Sequence, residues 1–124
     1  MSTRTFIAFL AIASLALVGF LANDLAPPVQ AKEKKMRGKA LYKQYCKACH
    51  GPGSENGEYS PLTLIQDQWN RFFDKKFVSS HGELEAPDAS GKRLLEALDD
   101  EMIKKIRKFA VDHAADSESP MTCG

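Results

Sequence analysis

The sequence predicts a small all-α domain built from three main helices, and three observations favour this fold class. Apolar residues recur at helical spacing in residues 34–49, in residues 60–77 and again from residue 99 onward. Runs of β-branched residues are few, and no internal repeat or low-complexity tract interrupts the chain. Residues 32–124 are too few for more than one domain, so the three helices are expected to share a single core.

The first 31 residues are expected to be an export signal. A short basic start precedes an almost unbroken apolar run over residues 6–22. Pro27 and Pro28 then precede the small-residue segment 29–31, which resembles a processing site, so the mature domain would comprise residues 32–124. An uncleaved segment would instead anchor the protein, because the run is close to the shortest length that spans a bilayer. Either outcome places the domain in the periplasm or at the periplasmic face of the inner membrane.

The first helix is predicted over residues 34–49. Met36, Leu41 and Tyr45 recur at helical spacing, and lysines lie on the opposite side. Gly38 interrupts this pattern, although a glycine inside a helix costs up to about 1 kcal/mol relative to alanine. It therefore indicates either that another backbone comes close at this point or that the glycine is merely tolerated.

The end of this helix carries the segment Cys46-Lys47-Ala48-Cys49-His50. The C-x-x-C-H spacing is typical of c-type haem attachment, because thiols three positions apart lie on one helical face and can both form thioethers to haem. His50 follows directly and can bind the iron on its proximal side. We therefore predict one covalently bound haem c, held by Cys46, Cys49 and His50, as the centre of the core.

Cysteine pairs with this spacing also occur in zinc sites and in thioredoxin-like redox centres. A zinc site would normally have a second ligand pair, and a thioredoxin-like centre would have strand signals around it; the sequence shows neither. The remaining cysteine, Cys123, lies at the far end of the chain. It is either a free thiol or a residue that pairs with another molecule.

Ser60 as N-cap and Pro61 at the first helical position predict a second helix that reaches about Phe77. Its broad apolar face is interpreted as core that packs against the haem. Trp69 lies on this face, and its indole N–H is a candidate donor to a haem propionate, although any buried acceptor would satisfy it. The apolar face comprises Leu62, Ile65, Trp69, Phe72 and Phe73.

The helical pattern is lost in residues 78–97, which are predicted to form the loop on the distal side of the haem. The last helix is expected to begin with Asp99 as N-cap, followed by acidic residues that favour a helix start. From about residue 116 the chain is expected to be a loose tail. The predicted inner face of the last helix is Met102, Ile103, Ile106, Phe109, Ala110 and His113.

Over residues 36 to about 115 the chain resembles a small single-haem cytochrome c of the class I type. In that family the first helix crosses the last one closely, through a glycine followed four residues later by an aromatic residue, which Gly38 and Tyr42 match. The last helix contributes an apolar and an aromatic residue three positions apart, which Ile106 and Phe109 match. The resemblance implies a class I cytochrome c-like fold around one haem, and electron transfer rather than enzymatic activity.

The sequence departs from this family at the sixth iron ligand. Class I members usually supply a methionine from the loop before the last helix, and residues 78–97 contain none. His81 in this loop is the favoured distal ligand, and Met121 in the tail is the alternative. His113 and Met102 are weaker candidates because both lie on the face predicted for helix packing. A distal position without a protein ligand also stays open.

A haem with two axial ligands and one exposed edge can exchange single electrons and little else, so the sequence predicts a one-electron carrier. Seven basic residues between positions 32 and 47 are opposed only by Glu33. This collar is either a solvated helix face or a surface that steers the protein toward a redox partner with an acidic docking surface. With a net charge of +1, no nucleic-acid partner is expected, and membrane contact requires a retained N-terminal segment.

Two other functions fit the same sequence. A haem-based small-ligand binder or sensor would have an open or displaceable distal position, and the missing loop methionine favours it. The protein could also be a subunit whose haem serves within a larger redox complex. Carbon monoxide added to the reduced protein separates the carrier from the sensor, because a six-coordinate carrier has no free iron position.

Overall fold

The structure, a computed structural model, describes residues 36–122. These residues are helical, and their one extended pairing is an isolated antiparallel bridge between Glu85 and Arg93. The all-α prediction is therefore confirmed. No helix in this part of the chain is long and apolar enough to cross a membrane. The predicted export signal and Cys123 lie outside the described residues.

The described residues form eight helical elements. The elements are α1 (Gly38–Leu41), the π-helical turn π1 (Tyr42–Cys46), α2 (Lys47–His50), the 3-10 turn η1 (Pro61–Thr63), α3 (Gln66–Lys75), α4 (Phe77–His81), α5 (Leu94–Ala97) and α6 (Asp100–Asp112). The backbone stays right-handed helical at the junctions of α1, π1 and α2. These three elements are therefore called the N-terminal helix.

The N-terminal helix starts four residues later than predicted, because Arg37 has an extended backbone and acts as its N-cap. Its middle is the π-turn, which ends at Cys46 and buries Tyr42 and Tyr45. π-turns inside helices occur frequently at functional sites. Here the turn leads directly into the C-x-x-C-H segment.

The N-terminal helix crosses α6 at Gly38. A Cβ at this position would collide with the backbone carbonyl oxygen of Lys105 and would lie 2.9 Å from Cβ of Phe109. The Tyr42 and Phe109 rings pack 5.4 Å apart at 58°, and Ile106 is fully buried. The predicted close approach of another backbone to Gly38 is confirmed, and so is the pairing of the two helices.

The helix predicted over residues 60–77 is divided into η1, α3 and α4. Leu64 and Ile65 are extended between the first two, where the Leu64 carbonyl accepts a hydrogen bond from the N–H of Ala115 at 3.2 Å. The indole N–H of Trp69 donates to the Pro61 carbonyl at 2.9 Å and holds η1 against α3. In a continuous helix the Pro61 and Leu64 carbonyls would accept hydrogen bonds from backbone N–H groups of that helix. Here they accept from the Trp69 indole and the Ala115 N–H instead, so neither carbonyl lacks a partner.

Residues 78–97 are more ordered than the predicted loop. Phe77 is buried, and its ring packs 5.2 Å from that of Phe73, so this apolar contact holds the short helix α4 on the end of α3. His81 is the last residue of α4 rather than part of a polar loop. The element α5 follows, with Leu94 and Ala97 buried.

The start of α6 is confirmed, because the Asp99 carboxylate accepts a hydrogen bond from the Met102 N–H at 2.9 Å. Its buried residues are Met102, Ile106, Phe109 and Ala110, whereas Ile103 and His113 are half-buried. Arg107 donates to Asn70 Oδ1 at 2.8 and 3.0 Å and also pairs with Asp74. This network attaches α3 to α6 and thereby positions α4.

The tail differs from the loose segment predicted from about residue 116. Asp116 accepts a hydrogen bond from the Gln66 N–H at 2.8 Å, and the N–H of Met121 donates to the His113 carbonyl at 3.3 Å. His113 Nδ1 hydrogen-bonds the Ser119 carbonyl at 2.7 Å. Up to residue 122 the chain therefore folds back onto the start of α3 and the end of α6.

Gly38→Ala is expected to destabilise the protein by about 1–3 kcal/mol, because the added methyl group overpacks the crossing with α6 by more than the helix propensity of alanine returns. Guanidinium unfolding of the haem-loaded protein measures this loss. Lys39→Ala, an exposed change on the same helix, should leave the free energy of unfolding within about 0.5 kcal/mol of wild type. Equal stability of the two variants would contradict the close crossing.

Candidate functional site

The two thiols of the C-x-x-C-H segment lie on consecutive parts of the N-terminal helix, where π1 ends and α2 begins. Cys46 and Cys49 are both half-buried, and both are free thiols. Burial, and secondarily the proximity of Cys49, raises the pKa of Cys46 to about 12. The two thiols lie three positions apart near the end of one helix, which is the spacing that thioether attachment requires.

His50 ends the N-terminal helix, and its orientation is fixed by the loop that follows. Its Nδ1 lies 3.1 Å from the carbonyl oxygen of Gly57. A carbonyl only accepts, so Nδ1 carries a proton and Nε2 is the ring nitrogen that remains to bind a metal. Gly57 adopts φ +85°, a left-handed conformation that suits glycine, and this turn brings its carbonyl back to the ring. Tyr59 contacts the ring edge-on, with centroids 5.1 Å apart.

His81, at the end of α4, is oriented in the same way as His50, through a hydrogen bond from Nδ1 to a backbone carbonyl. Its Nδ1 lies 2.9 Å from the carbonyl oxygen of Phe77, one helical turn earlier in α4. Nδ1 therefore carries a proton here as well, and Nε2 is again the nitrogen that remains to bind a metal. The Phe77 ring stacks on the imidazole at 4.9 Å and 28°, and Phe72 meets it edge-on at 6.1 Å.

The two imidazoles face each other. The ring centroids of His50 and His81 are 6.1 Å apart, and the ring planes cross at 73°. Two imidazoles that bind one metal ion from opposite sides have centroids about 6 Å apart, since each metal–nitrogen bond is about 2 Å and each ring centre lies about 1 Å farther. The observed separation is close to this value, so the two rings are near enough to each other to bind one iron.

The other predicted site residues are placed elsewhere. The indole N–H of Trp69 donates to the Pro61 carbonyl, which is the other kind of buried acceptor that the sequence left open, and its contact with a haem propionate stays a prediction. Met121 packs against the hydrophobic core near His113. His113 contacts Phe109 at 4.8 Å, and Met102 is buried, as expected for helix packing. Of the candidate distal ligands, the structure brings His81 into ring contact with His50.

Comparison with known proteins decides the family. A family model described as cytochrome c matches residues 36–119, which is more than half of the chain. The chain belongs to the cytochrome c family. No curated protein and no solved structure matches this cytochrome.

Membership in this family implies haem c, and the residues of this cytochrome fit that cofactor. Cys46 and Cys49 lie at the attachment spacing, and His50 follows with its Nδ1 bound to the Gly57 carbonyl. The imidazole of His81 lies next to that of His50, and imidazole nitrogen is a ligand that haem iron accepts. Members of the family are generally electron-transfer proteins.

Two orienting groups of this site were missed by the sequence analysis. Phe77 lies four residues before His81, a spacing that would have indicated its role had α4 been recognised as a helix. Gly57 lies in a run of turn-forming residues after His50, and nothing in its sequence context identifies its carbonyl as the acceptor for His50. Both groups orient a histidine through a backbone carbonyl. Because every residue type has this carbonyl, the residue type alone does not indicate such a role.

A further contact ties the cytochrome's haem-attachment helix to the segment between α4 and α5. The hydroxyl of Tyr45, which is buried beside Cys46, donates to Asp88 Oδ2 at 3.0 Å. Asp88 also accepts a hydrogen bond from the Ser90 N–H at 3.0 Å. Hydrogen bonds from Ser90, and then from Tyr45, lower the pKa of the Asp88 carboxyl below its usual value.

Because the folded-state pKa of Asp88 is depressed, its stabilising contribution is present above the ordinary carboxyl pKa and is lost as pH falls through the folded value. Asp88→Asn keeps an acceptor for Tyr45 but removes the charge. Its Tm should therefore lie below that of wild type near neutral pH, with the difference shrinking in acid. Thermal unfolding between neutral pH and about pH 3 measures this; a difference that is constant with pH would contradict the linkage.

Proposed function

We propose that this cytochrome is a monohaem one-electron carrier of the periplasm whose iron is held by His50 and His81. The observation that carries the proposal is the facing pair of imidazoles, 6.1 Å apart, each with Nδ1 hydrogen-bonded to a backbone carbonyl. The apolar run at the start of the sequence supports the periplasmic assignment, because it is typical of an export signal.

When bound, haem c supplies an iron that gains or loses one electron. Cys46 and Cys49 hold the cofactor covalently, and so its retention does not depend on the oxidation state. The imidazoles of His50 and His81 would hold the iron, and their Nδ1 hydrogen bonds keep both rings in place. Because both rings are already held, these side chains would move little during electron exchange, and no ligand position would be left for a substrate. A histidine in place of methionine lowers the reduction potential.

We further propose that the described lysines of the basic collar form the docking surface for an acidic redox partner. Lys39, Lys43 and Lys47 recur every four residues and share one side of the N-terminal helix, which ends in the haem-attachment segment. Within residues 36–122 no carboxylate pairs with any of the three. Unpaired cations close to the redox centre favour association with an acidic surface.

His81→Ala tests the carrier assignment directly. The reduced wild-type protein is expected to keep its low-spin absorption spectrum when carbon monoxide is added, because both axial positions are occupied. The His81→Ala protein should become high-spin and bind carbon monoxide rapidly. Met121→Ala is the matched control and should behave as wild type.

Rapid and complete carbon monoxide binding by the wild-type protein would contradict the carrier and favour the ligand binder. A low-spin His81→Ala protein together with a high-spin Met121→Ala protein would show that Met121, rather than His81, is the distal ligand.

Neutralising the collar with Lys39→Gln, Lys43→Gln and Lys47→Gln together should slow electron transfer to an acidic flavodoxin by about tenfold at low salt. The same changes at Lys75, Lys76 and Lys104, which lie on α3 and α6 or between α3 and α4, should have a smaller effect. Stopped-flow absorbance at several ionic strengths measures both sets. Equal slowing by the two sets would show that net charge, rather than the collar, governs docking.

A further inference from the structure

Phe77 makes two separate contacts with His81. Its backbone carbonyl lies 2.9 Å from Nδ1 of the imidazole, and its ring stacks on the same imidazole at 4.9 Å and 28°. The hydrogen bond fixes which nitrogen is protonated and directs Nε2. The stacking contact restricts rotation of the imidazole plane about its bond to the main chain.

Phe77 is itself held firmly. Its side chain is only 5% exposed, and its ring packs against Phe73 at 5.2 Å and against Phe72 at 6.1 Å. Phe72 also meets the His81 ring edge-on at 86°, which leaves the imidazole between a stacked ring and a perpendicular one. The plane of His81 is therefore set by the two rings that contact it, those of Phe77 and Phe72.

The plane of His50 is set independently. Gly57 binds its Nδ1, and Tyr59 meets its edge at 89°. Neither group belongs to the elements that hold His81. Each of the two imidazole planes, which cross at 73°, is therefore supported by its own set of contacts.

We propose that Phe77 is a positioning residue that keeps the imidazole plane of His81 crossed against that of His50. This inference rests on the proposed ligation of iron by both histidines. Crossed axial planes leave two of the iron d orbitals nearly equal in energy, whereas parallel planes separate them. Phe77 thus determines the electronic state of the iron through its effect on His81 without touching the metal.

Electron paramagnetic resonance of the ferric haem-loaded protein tests the proposal. The wild type should show one strongly shifted low-field signal, typical of crossed planes, instead of the three resolved signals of parallel planes. In Phe77→Leu the stacking is lost, and the spectrum should change to the three-signal type or to a mixture. Phe77→Tyr keeps the ring and should restore the wild-type spectrum.

Phe73→Leu is the matched control, because Phe73 packs against Phe77, Phe72 and Trp69 while its ring makes no contact with His81 among the described residues. It should lose stability but keep the wild-type spectrum. An unchanged spectrum in Phe77→Leu, or an equal change in Phe73→Leu, would overturn the positioning role. If Phe77→Leu does not fold, the wild-type spectrum still decides, since three resolved signals would contradict crossed planes.

Failure of the ligation itself gives a different result. A high-spin wild-type spectrum, or the near-infrared absorption of a methionine-bound ferric haem, would show that His81 is not a ligand. That outcome would overturn the proposed bis-histidine iron and, with it, the role of Phe77. A low-spin bis-histidine spectrum that Phe77→Leu leaves unchanged would overturn the role of Phe77 alone.

Discussion

The candidate site depends on the imidazoles of His50 and His81, whose ring centroids are 6.1 Å apart. Each ring is oriented by a hydrogen bond from Nδ1 to a backbone carbonyl. Neither side chain could hold this position alone, since an imidazole rotates about two side-chain bonds. A carbonyl partner removes most of this freedom and leaves Nε2 as the ligand atom. The rest of the described chain can be understood as the scaffold that brings Gly57 and Phe77 to their places.

Two helix contacts build that scaffold. The crossing of the N-terminal helix with α6 at Gly38 fixes the segment that carries Cys46, Cys49 and His50. On the other side, Arg107 attaches α3 to α6, and the aromatic packing of Phe77 holds α4 on α3. Because α6 contacts both halves, it connects the helix that carries His50 with the helices that position His81. A small domain with few core residues thus keeps the two histidines close together.

The sequence was sufficient where the chemistry is local. The C-x-x-C-H spacing, the Asp99 cap and the apolar face of α6 are written in neighbouring residues, and Gly38 signalled a close backbone because glycine is otherwise costly there. The sequence was insufficient where a distant group decides. The Trp69 indole donates to the Pro61 carbonyl, and the Leu64 carbonyl accepts from the Ala115 N–H. These hydrogen bonds lie where the predicted second helix is interrupted. The helix α4 is too short for its periodicity to be recognised, and so His81 was placed in a loop.

A crystal structure of the haem-loaded protein tests the central claim most directly. The account predicts one haem joined to Cys46 and Cys49, with Nε2 of His50 and Nε2 of His81 each about 2 Å from its iron. Electron density for the sulfur of Met121 opposite His50, or for no protein atom at that position, would contradict it.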